Sequence, residues 1–302
     1  MKVVRWVMLL AGIVAFAGAF YMFWQVRRHP LEIAERIGRD ELERRGLVRR
    51  SLAGPRGEIV VWTRPGRGGP LVLVHGEDGS AAAWAAVVSR LPADRALVVP
   101  DLPGHGESAP RDGALRLDDL VDGLEVVLAD ASRDGPVTVV AHSLGAIVAL
   151  RALGRVPGDA AEQLVIVAPW TLSPDDEAFA ALFPASDEQA LALLRRERKV
   201  KAPPIPDYLP PARVRRAAGG PLARLRADLA AGAGAFPPLP ARVTVDLVLP
   251  EEDRIMPAER TGQLAARPGV RSVATLPACG HLPHEECPDE LARVLTELLA
   301  AP

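Results

Sequence analysis

Hydrophobic and polar positions follow three successive patterns along this chain. Residues 6–26, WVMLLAGIVAFAGAFYMFWQV, contain no charged side chain. As a helix rising about 1.5 Å per residue, the run spans roughly 30 Å, the depth of a bilayer core. Trp6, Tyr21 and Trp24 stand near its ends, where interfacial aromatics belong, with Lys2 and Arg5 before it and Arg27 and Arg28 after it. The pattern predicts a transmembrane anchor over residues 1–26. A signal peptide cleaved at Ala17-Gly18-Ala19 is the competing reading, but the bulky run Phe20-Tyr21-Met22-Phe23-Trp24 just beyond that site suits an uncleaved helix. Residues 27–48 are polar and predict a short juxtamembrane helix over 30–46. Pro30 suits its first turn and Gly46 its stop, and Glu32–Arg36, Glu35–Arg39 and Glu41–Arg45 are four apart. It reads as a solvated spacer, or else as a basic collar against lipid headgroups.

From residue 49 to 302, short apolar runs alternate with longer amphipathic ones. A hairpin is expected at about 49–63. Strands are expected at 70–74, 95–100, 136–141, 163–168, 243–249 and 270–276. Helices are expected at 80–91, 114–131, 144–154, near 257–267 and at 288–300. Such a βαβ series predicts an α/β fold, a mostly parallel central sheet with helices on both faces. Residues 171–238 interrupt the series as an insert rich in Ala, Arg and Pro, with helix-like pieces at 174–199 and 211–232.

Composition changes this picture little. The chain has 302 residues, enough for one large domain and an anchor, and its net charge of −2 suggests no polyanionic partner, hence no nucleic acid. No phosphate loop, metal-ligand cluster or repeat is visible. Cys279 and Cys287 lack metal-ligand spacing and read as free thiols, or as a disulfide if the domain is exported. The arginines crowded into residues 27–50 outnumber Lys2 and Arg5, which favours a cytoplasmic domain, whereas a basic start before an apolar run commonly exports the domain beyond it. The side of the membrane stays open.

The candidate chemistry centres on Ala141-His142-Ser143-Leu144-Gly145, between the apolar runs Val137–Val140 and Ala146–Leu150. A strand, a sharp turn and a helix expose the Ser143 hydroxyl beside a helix N-terminus; the plainer reading is a serine that caps that helix. A serine nucleophile needs a base and a group that orients the base. Of six histidines, His281 is preferred as base because it comes directly after Gly280, past the last strand, with His284 the alternative. Asp253, after strand 243–249, is the preferred acid; Glu251 and Glu252 are alternatives, and Asp246 inside the strand reads as structural. The backbone N–H groups of Glu77 and Leu144 are the candidate oxyanion donors. The Glu77 side chain is expected to point outward, because a carboxylate beside an oxyanion opposes catalysis.

Five segments in this order, HGEDGS (75–80), DLPGHGES (101–108), AHSLG (141–145), PEEDRIMP (250–257) and CGHLPHEECP (279–288), resemble the α/β-hydrolase superfamily, among its esterase, lipase and carbon–carbon bond hydrolase members. The first position of the elbow motif is Ala141 where glycine is usual. The resemblance implies a serine nucleophile, an aspartate after the seventh strand, a histidine after the eighth, a cap formed by the insert, and no metal or organic cofactor. Asp101 and His105 are expected to serve structure. The expected activity is hydrolysis of carboxylic esters, small or lipidic, by a membrane-tethered serine hydrolase. Acyl transfer, carbon–carbon bond hydrolysis and a non-catalytic binding role are the rivals.

Overall fold

The computed structural model describes residues 2–300. Helix α1 (Lys2–Arg28) leads into α2 (Pro30–Arg44), and strands β1 (Val48–Gly54) and β2 (Gly57–Arg64) form the expected hairpin. Then come β3 (Arg67–Val74), α3 (Ala85–Val88), β4 (Arg95–Pro100), α4 (Leu117–Ala131), β5 (Val137–His142), α5 (Leu144–Leu153) and β6 (Ala161–Val167). The insert carries α6 (Glu177–Ala181), α7 (Asp187–Glu197), α8 (Leu209–Gly219) and α9 (Pro221–Ala230). The chain closes with β7 (Thr244–Pro250), α10 (Ala258–Ala265), β8 (Val270–Leu276), α11 (Pro283–Glu286) and α12 (Pro288–Ala300).

The eight strands form one sheet in the order β1-β2-β4-β3-β5-β6-β7-β8. The pairs β1–β2 and β2–β4 are antiparallel, and the remaining pairs are parallel. The chain leaves β3 toward β4 on one side and returns through β5 on the other. The carboxyl ends of β3 and β5 therefore lie side by side, with Val74 opposite Ala141. Such a switch point opens a crevice beyond the strand ends.

The inner strands are apolar throughout because both faces are covered. Alternate residues face opposite ways. Val72, Val74, Val139, Ala141, Leu164 and Ile166 pack with α4, α5 and the apolar side of α9. Leu71, Leu73, Val140, Val165 and Val167 pack with Trp84, α3, α12 and Leu42 of α2. The edge strand β1 is mostly exposed and carries Arg49 and Arg50, charges that discourage further pairing.

Four segments differ from the sequence reading. The segment expected as one helix over 80–91 is a 3-10 turn, Ala81–Trp84, followed by the single turn of α3. The piece expected over 174–199 is broken into α6 and α7 around Pro184, and 211–232 divides into α8 and α9 at Gly220-Pro221, where proline restarts the helix. Finally, α2 is not a solvated spacer. Leu42 is fully buried, and a side chain at Gly38 would come within 2.6 Å of the Ala82 carbonyl oxygen.

By contrast, α1 stands clear of the domain. Its Val4–Arg28 stretch is long and apolar enough to cross a membrane, and the 18-residue apolar window within it has a mean hydropathy of 2.0 and is not buried against the protein. The end of α1 touches the insert. Arg27 Nη2 donates to Asp207 Oδ2 at 2.7 Å, the Arg27 guanidinium lies 5.6 Å from the Tyr208 ring centre, and Arg215 Nη2 donates to the Arg28 carbonyl at 2.8 Å.

Candidate active site

The turn between β5 and α5 forces Ser143 to φ 50° and ψ −123°, a region that side-chain-bearing residues rarely occupy. The surroundings hold it there. The Ser143 N–H donates to the Val167 carbonyl at 3.0 Å. A Cβ at Gly145 would sit 2.3 Å from the His75 carbonyl oxygen, and one at Gly76 would sit 2.7 Å from His142 Nδ1 and 3.2 Å from Ser143 Cβ. Both glycines are thus required by the close approach of the β3 and β5 loops, whereas Ala141, buried in the sheet, fits without glycine. Ser143 is the N-cap of α5, yet its side chain makes no capping hydrogen bond. The hydroxyl is aimed elsewhere: Ser143 Oγ lies 3.1 Å from His281 Nε2.

On its other side, His281 Nδ1 lies 2.8 Å from Asp253 Oδ2. Asp253 Oδ1 accepts the N–H groups of Ile255 (2.9 Å) and Met256 (3.1 Å), so both carboxylate oxygens are occupied and the group is fixed. The three side chains come from the loops after β5, β7 and β8. Burial acts to lower the proton affinity of His281, but the charge and hydrogen bond of Asp253, aided by Glu77 and Glu197, raise it from 6.5 to about 9. Burial works against Asp253 ionising, and His281 outweighs it, holding the carboxyl below its ordinary range.

The alternatives sit apart from this line. Glu251 is exposed, and Glu252 Oε2 accepts the Val200 N–H. The His284 ring packs 5.2 Å from Trp84 and 4.5 Å from His142, and burial, followed by the charges of His281 and His75, lowers its pKa to about 3. Asp101 accepts the N–H groups of Ala81 and Glu107, and His105 Nδ1 lies 3.0 Å from the Pro103 carbonyl, so both hold loops as expected. Asp246 binds Arg271, Ser272 and Gln163 and is likewise structural.

A family model described as the alpha/beta hydrolase family matches residues 71–294. This chain belongs to the alpha/beta hydrolase family. A lipase of Mycobacterium tuberculosis is 35% identical over 108 residues, covering 35% of this chain and 40% of that protein. The dihydrolipoyllysine-residue acetyltransferase component of the acetoin cleaving system of Pseudomonas putida is 35% identical over 136 residues, 44% of this chain and 35% of that protein. These matches thus span well under half of each relative. Among solved structures, a bacterial membrane phospholipase A superposes with a TM-score of 0.73 at 21% identity, covering 97% of both chains. An esterase of Thermogutta terrifontis gives 0.65 at 23% identity, over 83% of this chain and 98% of that one.

In this alpha/beta hydrolase the site is enclosed: Ser143 is 0% and His281 1% exposed. The insert contributes to the enclosure and to the positioning of the histidine. The His281 N–H donates to the Glu197 carbonyl at the end of α7 (2.8 Å), and a Cβ at Gly280 would lie 2.6 Å from Arg198 C and Lys199 N. Arg213 of α8 reaches Glu197 Oε1 at 2.7 Å and Asp78 Oδ2 at 3.1 Å. It thereby links the loop of the histidine to the loop of Glu77. Neither Glu197 nor Arg213 stood out in the sequence, since nothing in an Ala/Arg/Pro-rich insert marks which charge turns inward. The His142 ring lies 5.1 Å from that of His281.

Two expectations are overturned. The Glu77 side chain does not point outward. The loop turns sharply through Gly76–Gly79, with Asp78 at φ 49°, and leaves Glu77 Oε2 buried. Its charge acts on His142, His281, Glu197 and Arg213. The Glu77 and Leu144 N–H groups donate to no backbone or side-chain acceptor among the described residues. Nor are the cysteines free thiols. Cys279 and Cys287 are joined in a disulfide, because α11 folds the chain back and brings their Cα atoms to 6.1 Å. The bridge closes the loop that carries His281.

Proposed function

We propose that this protein is a membrane-anchored serine hydrolase that cleaves carboxylic esters through an acyl-enzyme. The observation that carries the reading is the unbroken line from Ser143 Oγ to His281 Nε2 and from His281 Nδ1 to Asp253, starting from a serine whose strained backbone leaves its hydroxyl uncommitted to capping. In this reading Ser143 Oγ attacks the ester carbonyl carbon while its proton passes to His281 Nε2. The carbonyl oxygen becomes an oxyanion received by the N–H groups of Glu77 and Leu144. His281 returns the proton to the leaving alcohol as the carbon–oxygen bond breaks. A water, deprotonated by the same nitrogen, then releases the acid and restores the serine. Asp253 keeps the imidazole in the required tautomer. No step needs a metal or an organic cofactor.

The insert acts as a cap that excludes water, with residues 1–26 as anchor, 27–48 as the juxtamembrane segment and 49–302 as the hydrolase domain. The Arg27 and Arg28 contacts with the cap support lipidic esters as substrates, since they hold the cap at the membrane end of α1. The disulfide supports an exported catalytic domain, as such bonds persist in oxidising compartments, and it outweighs the arginine count of residues 27–50. The test is labelling of the full chain in detergent by a fluorophosphonate, together with assay of acid release from esters. Labelling confined to Ser143 and lost in Ser143→Ala is expected. A chain that neither labels nor releases acid would end the reading.

A further inference from the structure

Most carboxylates around the proposed site meet a cation or a backbone N–H; Glu286 Oε1 lacks a hydrogen bond but lies 3.6 Å from Arg198 Nε, whereas Glu77 Oε2 has neither among the described residues. Asp78 receives Arg213, Arg216 and the Leu222 N–H. Glu197 receives Arg213, and Asp253 receives His281 and two backbone N–H groups. Glu286 accepts the N–H groups of Lys199 and Gly280. Glu77 forms no ion pair among the described residues, and its Oε2 is buried without any hydrogen-bond donor. The nearby cation, Arg213, spends Nη1 on Asp78 and Nη2 on Glu197, and its buried Nε makes no hydrogen bond to Glu77 or to any other group among the described residues.

An unpartnered buried carboxylate oxygen is costly, and such atoms in folded proteins call for an explanation. This one is worse placed than most. It belongs to the residue after Gly76, which abuts Ser143, so its negative charge opposes the oxyanion that the same residue's N–H would receive. The arrival of a substrate whose own hydrogen-bond donor reaches Oε2 relieves the first penalty. A cationic donor also cancels the charge.

We infer that the Glu77 carboxylate is a substrate-recognition group that accepts a hydrogen bond from a hydroxyl or ammonium group carried by the ester a few bonds from its scissile carbonyl. This rests on the esterase reading and goes beyond it by naming a chemical class of substrate. Esters lacking the donor leave Oε2 bare and its charge uncompensated, so they are selected against in the transition state.

The experiment uses the full chain in detergent micelles and compares esters of matched size. On the acyl side these are β-hydroxypropanoyl, β-alanyl and butanoyl esters of one phenol. On the alcohol side they are the butanoyl esters of ethylene glycol and of propanol. The expected result is a kcat/KM about 10- to 100-fold higher for donor-bearing members of at least one series, the scale of a hydrogen bond to a charged group. Glu77→Gln should keep the hydroxyl preference and lose the ammonium preference, because the amide oxygen still accepts but carries no charge. Glu77→Met should lose both, and the Gln variant guards against a Met variant that misfolds. Equal rates in both series, or a preference unchanged in Glu77→Gln and Glu77→Met alike, would overturn the inference while leaving esterase activity standing. Failure of the wild-type chain to cleave any ester or to label at Ser143 would instead remove the esterase reading, and this inference with it.

Discussion

His142 donates from Nε2 to the backbone carbonyl of His281 at 2.8 Å. A carbonyl can only accept, so the proton sits on Nε2. Burial, together with His284 and His281, holds the imidazole neutral by keeping its proton affinity well below the ordinary range. The residue before the proposed nucleophile thus fixes the loop of the proposed base. His142→Ala should lower kcat on the order of 10²-fold with a smaller change in KM, because the histidine would be misplaced rather than removed. Steady-state kinetics beside a circular dichroism melt would check this; an unchanged kcat in a folded variant would contradict it.

Ser143→Ala should reduce kcat by about 10⁶-fold, and Asp253→Asn by about 10⁴-fold, with the fold retained in both. Glu251→Gln and Glu252→Gln should cost far less, since neither side chain meets His281. A larger loss from either glutamate than from Asp253 would move the orienting role to that residue.

The pH dependence comes from the raised proton affinity of His281. The base must be neutral to accept the serine proton, so kcat/KM should rise with pH above 6.5 and level off as pH passes about 9. Asp253→Asn should shift this limb toward acid. Folding stability runs the opposite way. The folded state binds the His281 proton more tightly than the unfolded chain does, so this contribution is complete below 6.5 and is lost as pH rises toward 9. A rate limb lying at or below the ordinary histidine range would show that Asp253 does not control the imidazole.

Reduction of the Cys279–Cys287 bridge should destabilise the domain by about 2–3 kcal/mol, the loop-entropy scale for so short a crosslink. That corresponds to a fall in Tm of roughly 5–10 °C for a domain of this size. The double substitution Cys279→Ala, Cys287→Ala should behave similarly, and activity should fall with it because the bridge encloses His281. A melt unaffected by reductant would contradict this.

The full chain should stay in the membrane pellet after high-salt and alkaline washing, as a helix of this length and apolarity inserts almost irreversibly. A chain beginning at His29 should be soluble and cleave a soluble ester. A chain beginning at Leu47 should be less stable, because it lacks Leu42 and the Gly38 contact that pack α2 onto the domain. Equal melting of the two truncated chains would mean that α2 is dispensable.

The strands, α4, α5 and α12 were legible within a few residues, because apolar runs and 3.6-residue periods report burial directly. Ser143, Asp253 and His281 were legible because each sits at a strand end beside glycine or in a turn, and the structure brings the three together. Other features depend on contacts far apart in sequence. The packing of α2 turns on Gly38 meeting Ala82, and the disulfide on the reversal made by α11. The inward turn of Glu77 depends on Asp78, one residue on, being pulled by Arg213 and Arg216 of the insert. No local pattern records such a pull.

The contacts of Arg27 and Arg28 with Asp207, Tyr208 and Arg215 carry a kinetic consequence for a chain held by α1 in a lipid sheet. In the proposed anchored state the insert would not drift from the sheet by more than those side chains allow. The protein would then search for substrate by lateral diffusion, and its rate would track molecules per unit area rather than per unit volume. Diluting a lipid ester with inert lipid at constant bulk concentration should therefore slow turnover, whereas adding more vesicles of the same composition should not raise the rate per protein.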